Sequence, residues 1–353
     1  MQRRKAIAKP AYIAIVSIFV LILAIPLFAG PLSVSLFGGI IHNIQTGLGY
    51  SSGIQSSQNN SKFGLLYYNA PKPQAYDVLA NYMLTLINND RYNNGISTNV
   101  SLDFNPAAQQ HAYSMLLNGY FSHWDTQGYK PYMRYTIAGG NGSVEENVAY
   151  EQYNGKFTSI SAVEEALKQL EYQMVYNDST HQNGHRFNIL DPYHNYVSIG
   201  IAYDTNYVYL VQDFENLYID WNYLPTINSH YLVMLSGNFT MSKNIQMIEV
   251  FYDPIPEPLT ALELSNSPYN DGYDQGTFLG GVVPYGYQVQ GGITINAIDW
   301  SVSSNNFFIS FDMNNLIRLY GNGVYTLYVA VQLSTGKQET FSSYSFFITN
   351  ATT

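Results

Sequence analysis

The sequence predicts an N-terminal membrane segment and two folded domains, the first an α/β layered domain and the second an all-β immunoglobulin-like sandwich. Between residues 73 and 225, apolar residues first follow a helical spacing and then alternate as in strands. Between residues 226 and 353, short β-branched and aromatic runs recur between Gly, Pro, Asn and Asp turns. With 353 residues, the chain is long enough for two domains of ordinary size.

Composition excludes several classes of function. The net charge is −10 and only 11% of residues are charged, so the basic surface that nucleic acids require is absent and we expect no nucleic-acid partner. The chain has no cysteine, which rules out disulfides, thiolate metal sites and thiol nucleophiles. Uncharged side chains, including 33 tyrosines, supply much of the polarity, a composition suited to an acidic exterior.

The first thirty residues are expected to anchor the protein in a membrane. An apolar run extends from Ala11 to Phe28, close to the length that spans a bilayer at about 1.5 Å per residue. Basic residues precede the run and favour a cytoplasmic N-terminus, which places the rest of the chain outside the cell. These basic residues are Arg3, Arg4, Lys5 and Lys9.

Two alternatives to an uncleaved anchor remain open. The segment could be a cleaved secretory signal, or it could be a class III signal, because "RRKAIAKPAYIAIV" resembles the leaders of archaeal pilins. That similarity and the composition suggest an archaeal source. Export would expose six N-x-[ST] sequons to glycosylation. They lie at Asn59, Asn99, Asn141, Asn177, Asn238 and Asn350.

The first domain should begin near residue 73, after a linker at residues 31–72 that is rich in Gly, Ser, Asn and Gln. Apolar spacing predicts a helix from Tyr76 to Ile87. A second helix is marked by Asn105 as N-cap, a proline at the first helical position and Gly119 after its end. A third should start at Ser161, which would form a capping box with Glu164.

The end of this domain predicts a pair of strands. "YVSIGIAY" and "YVYLVQDF" alternate in polarity on either side of a turn at residues 204–206, which indicates a β-hairpin. In the preceding helix, about 100° per residue places Glu171 on the flank of the apolar stripe, half inward.

Residues 83–216 resemble the CAP superfamily of cysteine-rich secretory, antigen and pathogenesis-related proteins, in its prokaryotic SCP-like form. The matching stretches are "LINNDRYNNG", "AAQQHAYSML", "FSHWDTQGYKPYMR", "EENVAY", "NGHRFNILDP" and "VSIGIAY" with "LVQDFEN". The resemblance implies an α-β-α sandwich with a cleft that holds two histidines and two acidic residues, and in several relatives a zinc ion.

Carried over by position, the resemblance assigns four residues to that cleft. The histidines, as zinc ligands, are His123 of "FSH" and His185 of "GHR", and the first acid is Glu146 of "EENVA". Glu145 replaces the usual glycine before this acid. Helical geometry favours Glu171 as the second acid, with Glu164 held in reserve.

These residues leave the chemistry open. Two neutral imidazoles and a carboxylate would leave a free position on Zn²⁺ where water is activated, with the second carboxylate as general base. Alternatively, the four residues form a hydrogen-bonded network without turnover. Neither an elbow motif nor a triad supports Ser122 as a nucleophile, and His111 is interpreted as a structural or surface residue.

Three functions follow from these patterns. The favoured one is an extracytoplasmic, membrane-anchored module that binds a lipid, a sterol, another small apolar ligand or a peptide at the cell surface. The second is a zinc-dependent hydrolase of peptides or cell-surface polymers, with Glu146 and Glu171 as the acid–base residues. The third is a structural surface or filament component, suggested by the anchor and the second domain.

Overall fold

The computed structural model describes residues 4–5, 71–241, 244–333 and 336–349. Apart from Arg4 and Lys5, the predicted anchor at residues 1–30 lies outside these ranges, as does the linker at residues 31–72 except for its last two residues. Within them, no helix combines the length and the apolar character that a bilayer crossing requires. Arg4 and Lys5 pair with residues 151 and 150 of the first domain, whereas the charge rule predicts a cytoplasmic position for them.

Among the described residues, the first domain contains five α-helices, a 3₁₀ turn at Ser179–His181 and a five-stranded sheet with strand order β1-β3-β5-β4-β2. The helices are α1 (Tyr76–Asn93), α2 (Pro106–Asn118), α3 (Pro131–Ile137), α4 (Ile160–Tyr176) and α5 (Gly184–Leu190). The strands are β1 (Arg4–Lys5), β2 (Ser101–Asp103), β3 (Ser143–Gln152), β4 (Tyr196–Tyr203) and β5 (Tyr207–Asn216). The predicted hairpin is confirmed, because β4 and β5 pair antiparallel.

Helices cover both faces of this sheet. Side chains of α1 and α4 pack with Ile199, Ile201 and Leu210 on one face. On the other face α2 lies against β4 so closely that a Cβ on Gly200 would meet the carbonyl oxygen of Ala108 at 2.1 Å. The three layers expected from the resemblance are therefore present.

The sequence signals for helix ends predicted both ends of α2 but not the start of α4. The start and end of α2 are confirmed, since the Asn105 side chain accepts from the backbone N–H of Ala107 and Gly119 adopts a left-handed φ of 69°. The prediction of a capping box at Ser161 is wrong, because α4 is capped by the side chain of Ser159, which accepts a hydrogen bond from the Ala162 N–H. The earlier start brings Ile160 against the apolar core, which explains why the helix begins there.

The second domain is a two-layer sandwich, as predicted. One sheet has the order β10-β9-β8-β13-β14 and the other β11-β12-β7-β6, and their facing side chains form one core. The strands are β6 (Ile219–Ile227), β7 (Leu232–Phe239), β8 (Asn244–Asp253), β9 (Thr277–Val283), β10 (Ile293–Asn296), β11 (Asp299–Ser303), β12 (Asn306–Asp312), β13 (Gly323–Gln332) and β14 (Gln338–Ile348). Two short helices, α6 (Ala261–Leu264) and α7 (Asn314–Tyr320), were not expected.

The boundary between the domains lies earlier in the chain than residue 225. Strand β6 begins at Ile219 and already belongs to the second domain. Pro225 lies within β6, an edge strand, between residues 223 and 226, where the register with β7 shifts and a proline is tolerated.

Residues 254–276, which connect β8 to β9, leave the sandwich and lie against the first domain. We call this stretch, which includes α6, the covering segment. Leu264 of α6 is fully buried in a cluster with Ala108, Ala112 and Met115 of α2. The second domain therefore contributes part of the surface around the cleft.

Candidate functional site

His123 lies in the loop between α2 and α3 and contacts the first predicted acid. Its Nδ1 atom is 2.9 Å from Oε1 of Glu146, and the two residues are only 5% and 2% exposed. When Glu146 is ionised it accepts this hydrogen bond, so the Nδ1 atom of a neutral His123 carries the proton. Its Nε2 atom then keeps the lone pair that a metal or a proton would use.

Glu146 is also bound by a buried arginine. Nη2 of Arg134 donates to Oε2 of Glu146 at 2.5 Å, and Nη1 donates to the His123 carbonyl at 2.7 Å. One guanidinium thus fixes both the carboxylate and the backbone of its histidine partner. Nε2 of His111 lies 4.0 Å from the same carboxylate, and burial holds the pKa of His111 well below its usual range, which keeps it neutral.

A second carboxyl group, Asp213, lies beside Glu146. The two residues pair directly between β3 and β5, so both point to the same face of the sheet. Burial raises the pKa of both carboxyls, to about 7 for Glu146, where Arg134 opposes the increase. Because the Glu146 charge further raises the pKa of Asp213, Asp213 keeps its proton while Glu146 becomes ionised. Sequence reasoning missed this pair.

His185, the second predicted histidine, lies at the start of α5. Arg91 of α1 holds the end of this helix by donating to the carbonyls of Ile189 and Asp191, at 2.7 and 2.8 Å. The Nδ1 atom of His185 is 2.7 Å from Oδ1 of Asp178, and the two side chains are each 1% exposed. The acid in contact with His185 is therefore Asp178, a residue that the sequence analysis did not single out.

Asp178 has further partners. Nδ1 of His181 lies 3.2 Å from the same Oδ1 atom, and the backbone N–H of Arg186 donates to Oδ2. Hydrogen bonds to His181 and His185 lower the pKa of Asp178 to about 2, against the effect of burial. An Asp-x-x-His-x-x-x-His spacing was the available signal in the sequence.

The pKa of His185 is lowered by burial, against the effect of Asp178, and a charge on His123 would lower it further. Nε2 of His185 is buried without a hydrogen-bond partner among the described residues. In both His123 and His185 a carboxylate binds Nδ1, so Nε2 has a lone pair of the kind that zinc accepts. Glu146 and Asp178 would then orient the two rings.

The structure separates Glu171 from Glu146. Glu171 accepts from Nε2 of Gln212 at 2.6 Å, and Gln212 precedes Asp213 by one position along β5, so it points to the opposite face of the sheet from Glu146. Burial raises the pKa of Glu171 to about 8. The reserve residue, Glu164, is half-buried and acts on the pKa of Tyr82 of α1.

The covering segment lies directly over His123. The ring of Tyr273 is 5.1 Å from that of His123, and its hydroxyl accepts from the backbone N–H of Glu146 at 3.3 Å. Next to it, Tyr269 packs edge-on against Trp124 with ring centroids 5.2 Å apart. The candidate site is therefore enclosed by aromatic rings from the second domain.

Polar contacts fix the covering segment to the loop that carries His123. Oγ of Ser122 donates to the Tyr269 carbonyl at 2.7 Å, and Nε1 of Trp124 donates to the Gly272 carbonyl at 3.1 Å. Nζ of the buried Lys130 donates to Asp253 at 2.7 Å and also to Asp274. The segment thus makes hydrogen bonds and ion pairs as well as apolar contacts.

The comparison with protein-family models agrees with the resemblance found in the sequence. A sequence model of the cysteine-rich secretory protein family, CAP, matches residues 84–214. Among solved structures, the CAP domain of Enterococcal PrgA is similar, with 15% identity and a TM-score of 0.30, over 54% of this chain and 83% of that one. No curated protein matches. Residues 84–214 therefore form a domain of the cysteine-rich secretory protein (CAP) family.

Proposed function

We propose that this protein is an extracellular binding module whose CAP domain takes an extended polypeptide in the groove over His123. The observation that carries the proposal is the covering segment, a stretch of polypeptide that lies against residues 122–130, which we call the groove.

The contacts of the covering segment explain why a peptide fits better than a lipid. Groove side chains donate to two of its backbone carbonyls, and its Leu259 N–H donates to the Thr126 carbonyl at 3.0 Å. Bonds to backbone groups are available to any polypeptide, whereas a lipid or a sterol offers few such groups. Around these bonds, Trp124 accommodates an aromatic side chain and Lys130 accommodates an acidic one.

The other functions stay proposals with less support. A small apolar ligand, lipid or sterol would need an apolar lining where the groove instead offers hydroxyl, indole and ammonium donors. A zinc-dependent hydrolase would need water and substrate at His123, which Tyr273 covers. In a structural surface or filament component, the second domain and not the CAP domain would carry the function.

We also propose that the folded domains lie outside the cell. An extracellular position is typical of the family, and the apolar run at residues 11–28 would provide the membrane anchor once Arg4 and Lys5 leave their pairing with β3. Two sequon asparagines, Asn99 and Asn177, are exposed, so glycans could reach them. Removal of N-glycans by an endoglycosidase should increase the gel mobility of protein from the native cell, and Asn99→Gln/Asn177→Gln should already migrate faster. Unchanged mobility in both cases would contradict exposure to the glycosylation machinery.

The peptide-binding proposal is tested by adding the occupant in trans. A fluorescent peptide of residues 254–276 is titrated into the full-length chain and followed by polarisation. The wild-type groove should not bind it, because the tethered segment competes at an effective concentration on the order of millimolar. Tyr269→Ala/Tyr273→Ala in the chain should weaken the tethered segment and permit binding, and Tyr285→Ala, at a side chain 89% exposed, is the matched control.

Further changes identify the groove and the ligand. We call Tyr269→Ala/Tyr273→Ala the opened variant. Adding Trp124→Ala to it should abolish peptide binding, and a scrambled peptide should not bind to it. Failure of the opened, folded variant to bind the peptide would overturn the proposal. Binding of sterol or fatty-acid vesicles in place of the peptide would favour the lipid alternative.

A further inference from the structure

We propose that Asp178, His181 and His185 bind a divalent transition-metal ion, with Zn²⁺ as the probe. This site is distinct from the peptide groove and does not depend on peptide binding. One metal-ligating atom from each of the three residues lies within 4.8 Å of the others.

The three side chains already converge on one point. The Nδ1 atoms of His185 and His181 lie 2.7 and 3.2 Å from the same oxygen of Asp178. In tetrahedral zinc sites with bonds of about 2.0–2.2 Å, neighbouring ligand atoms are about 3.3–3.6 Å apart. Small movements of these side chains would therefore create the spacing that an ion requires.

The backbone holds this arrangement. Gln182 and Asn183, between the two histidines, both have left-handed conformations, with φ of 55° and 62°. This conformation is uncommon for residues other than glycine, and here it turns the chain so that both imidazoles face Asp178. The Arg186 N–H, which donates to Oδ2 of Asp178 at 3.2 Å, fixes the carboxylate.

The ligand set and its access suit zinc. Two imidazoles and one carboxylate are hard and borderline ligands of the type that binds Zn²⁺, and three protein ligands leave a fourth position for water. The His181 side chain is 16% exposed, which gives the ion a path from solvent. His123, in contrast, lies under Tyr273.

This site competes with a zinc site formed by His123 and His185. A neutral imidazole has one lone pair, so His185 can bind an ion through Nδ1, beside Asp178, or through Nε2, towards His123. We assign the ion to the Nδ1 side because three ligands converge there.

The test uses the full-length, metal-free chain and two readouts: Zn²⁺ titration by calorimetry, and the visible spectrum of bound Co²⁺, which reports tetrahedral coordination. His181→Ala and Asp178→Asn should each weaken binding at least about 100-fold, since even changes outside the ligand shell cost about 10–100-fold. His123→Ala should leave the affinity unchanged. Matched controls are His230→Ala and Asp220→Asn, at exposed positions of the second domain.

Each outcome is decisive. Loss of binding in His123→Ala with retention in His181→Ala would overturn this assignment and place the ion between His123 and His185. Absence of binding to the wild-type chain would exclude both positions. His181→Gln with an unchanged melting temperature shows that lost binding is not lost folding. Peptide binding by the opened groove is a separate measurement, so failure of one proposal leaves the other standing.

Discussion

Arg134 and Glu146 form an ion pair from which solvent is excluded, with Nη2 and Oε2 2.5 Å apart and the side chains 1% and 0% exposed. The same arginine donates to the His123 carbonyl. The pair therefore connects the stability of the domain to the position of a candidate site residue.

Glu146→Ala should destabilise the protein by about 3–5 kcal/mol, because it removes one partner of a buried ion pair and leaves the guanidinium in a site of low polarity. Denaturant unfolding measures the change. Glu165→Ala, at an exposed position of α4, should stay within about 0.5 kcal/mol of wild type. Equal stability of the two variants would show that the ion pair contributes nothing.

Stability should fall as the pH rises from 6.5 to 8.5. Burial raises the pKa of Glu146 and Glu171 to about 7 and about 8, whereas both ionise near 4.5 in the unfolded chain. The unfolded state thus binds fewer protons in this range, and the contribution of the protonated carboxyls is lost as the pH passes through the folded-state pKa values. The buried His111, His123 and His185, whose pKa values are lowered, act in the opposite direction and only below about 6.5.

Melting temperatures at the two pH values measure this effect. Glu171→Gln keeps an oxygen that accepts from Gln212 but removes one titrating group, so its decrease between pH 6.5 and 8.5 should be smaller. A decrease as large as that of wild type would show that Glu171 is not protonated in the folded state.

Gly200→Ala should destabilise the first domain by about 1–3 kcal/mol, the usual cost of overpacking. The added methyl carbon would lie 2.1 Å from the Ala108 carbonyl oxygen, so α2 would have to move away from β4. Gly281→Ala is the matched control in a strand of the second domain, where the nearest atom is the movable sulfur of Met247 at 3.0 Å. Denaturant unfolding should show the smaller loss for the control, and the reverse order would contradict the close helix–strand contact.

Tyr273→Ala should expose His123 to solvent. We expect diethyl pyrocarbonate to modify His123 slowly in the wild-type chain and faster in the variant, as followed by mass spectrometry of peptides. The exposed His230 provides an internal reference, and Tyr285→Ala should change nothing. Equal rates at His123 with and without Tyr273 would show that the covering segment does not shield the site.

The sequence predicted those elements whose position depends on residues that are close together in the chain. Asn105, the following proline and Gly119 mark α2 because each satisfies or ends the helix within a few residues of its own position. The stripe in α4 correctly indicated that Glu171 faces inward. It could not identify the partner of Glu171, because the choice between Gln212 and Glu146 depends on which face of a distant strand the helix covers.

The contacts around His123 could not be predicted from the sequence. Tyr273 is separated from the Glu146 N–H by 127 residues, and nothing within the covering segment distinguishes it from an ordinary loop. Asp178 was missed for a different reason. It contacts His185 over only seven residues, but two left-handed residues lie between them, a conformation that the sequence does not indicate.

The covering segment is fixed at both ends to strands of its own sandwich, but its contacts are made with a different domain. Because both ends are held, His123 can be uncovered only when the segment swings out as a loop, and not by dissociation. The return to the covered state is then a unimolecular step, whose rate does not depend on protein concentration.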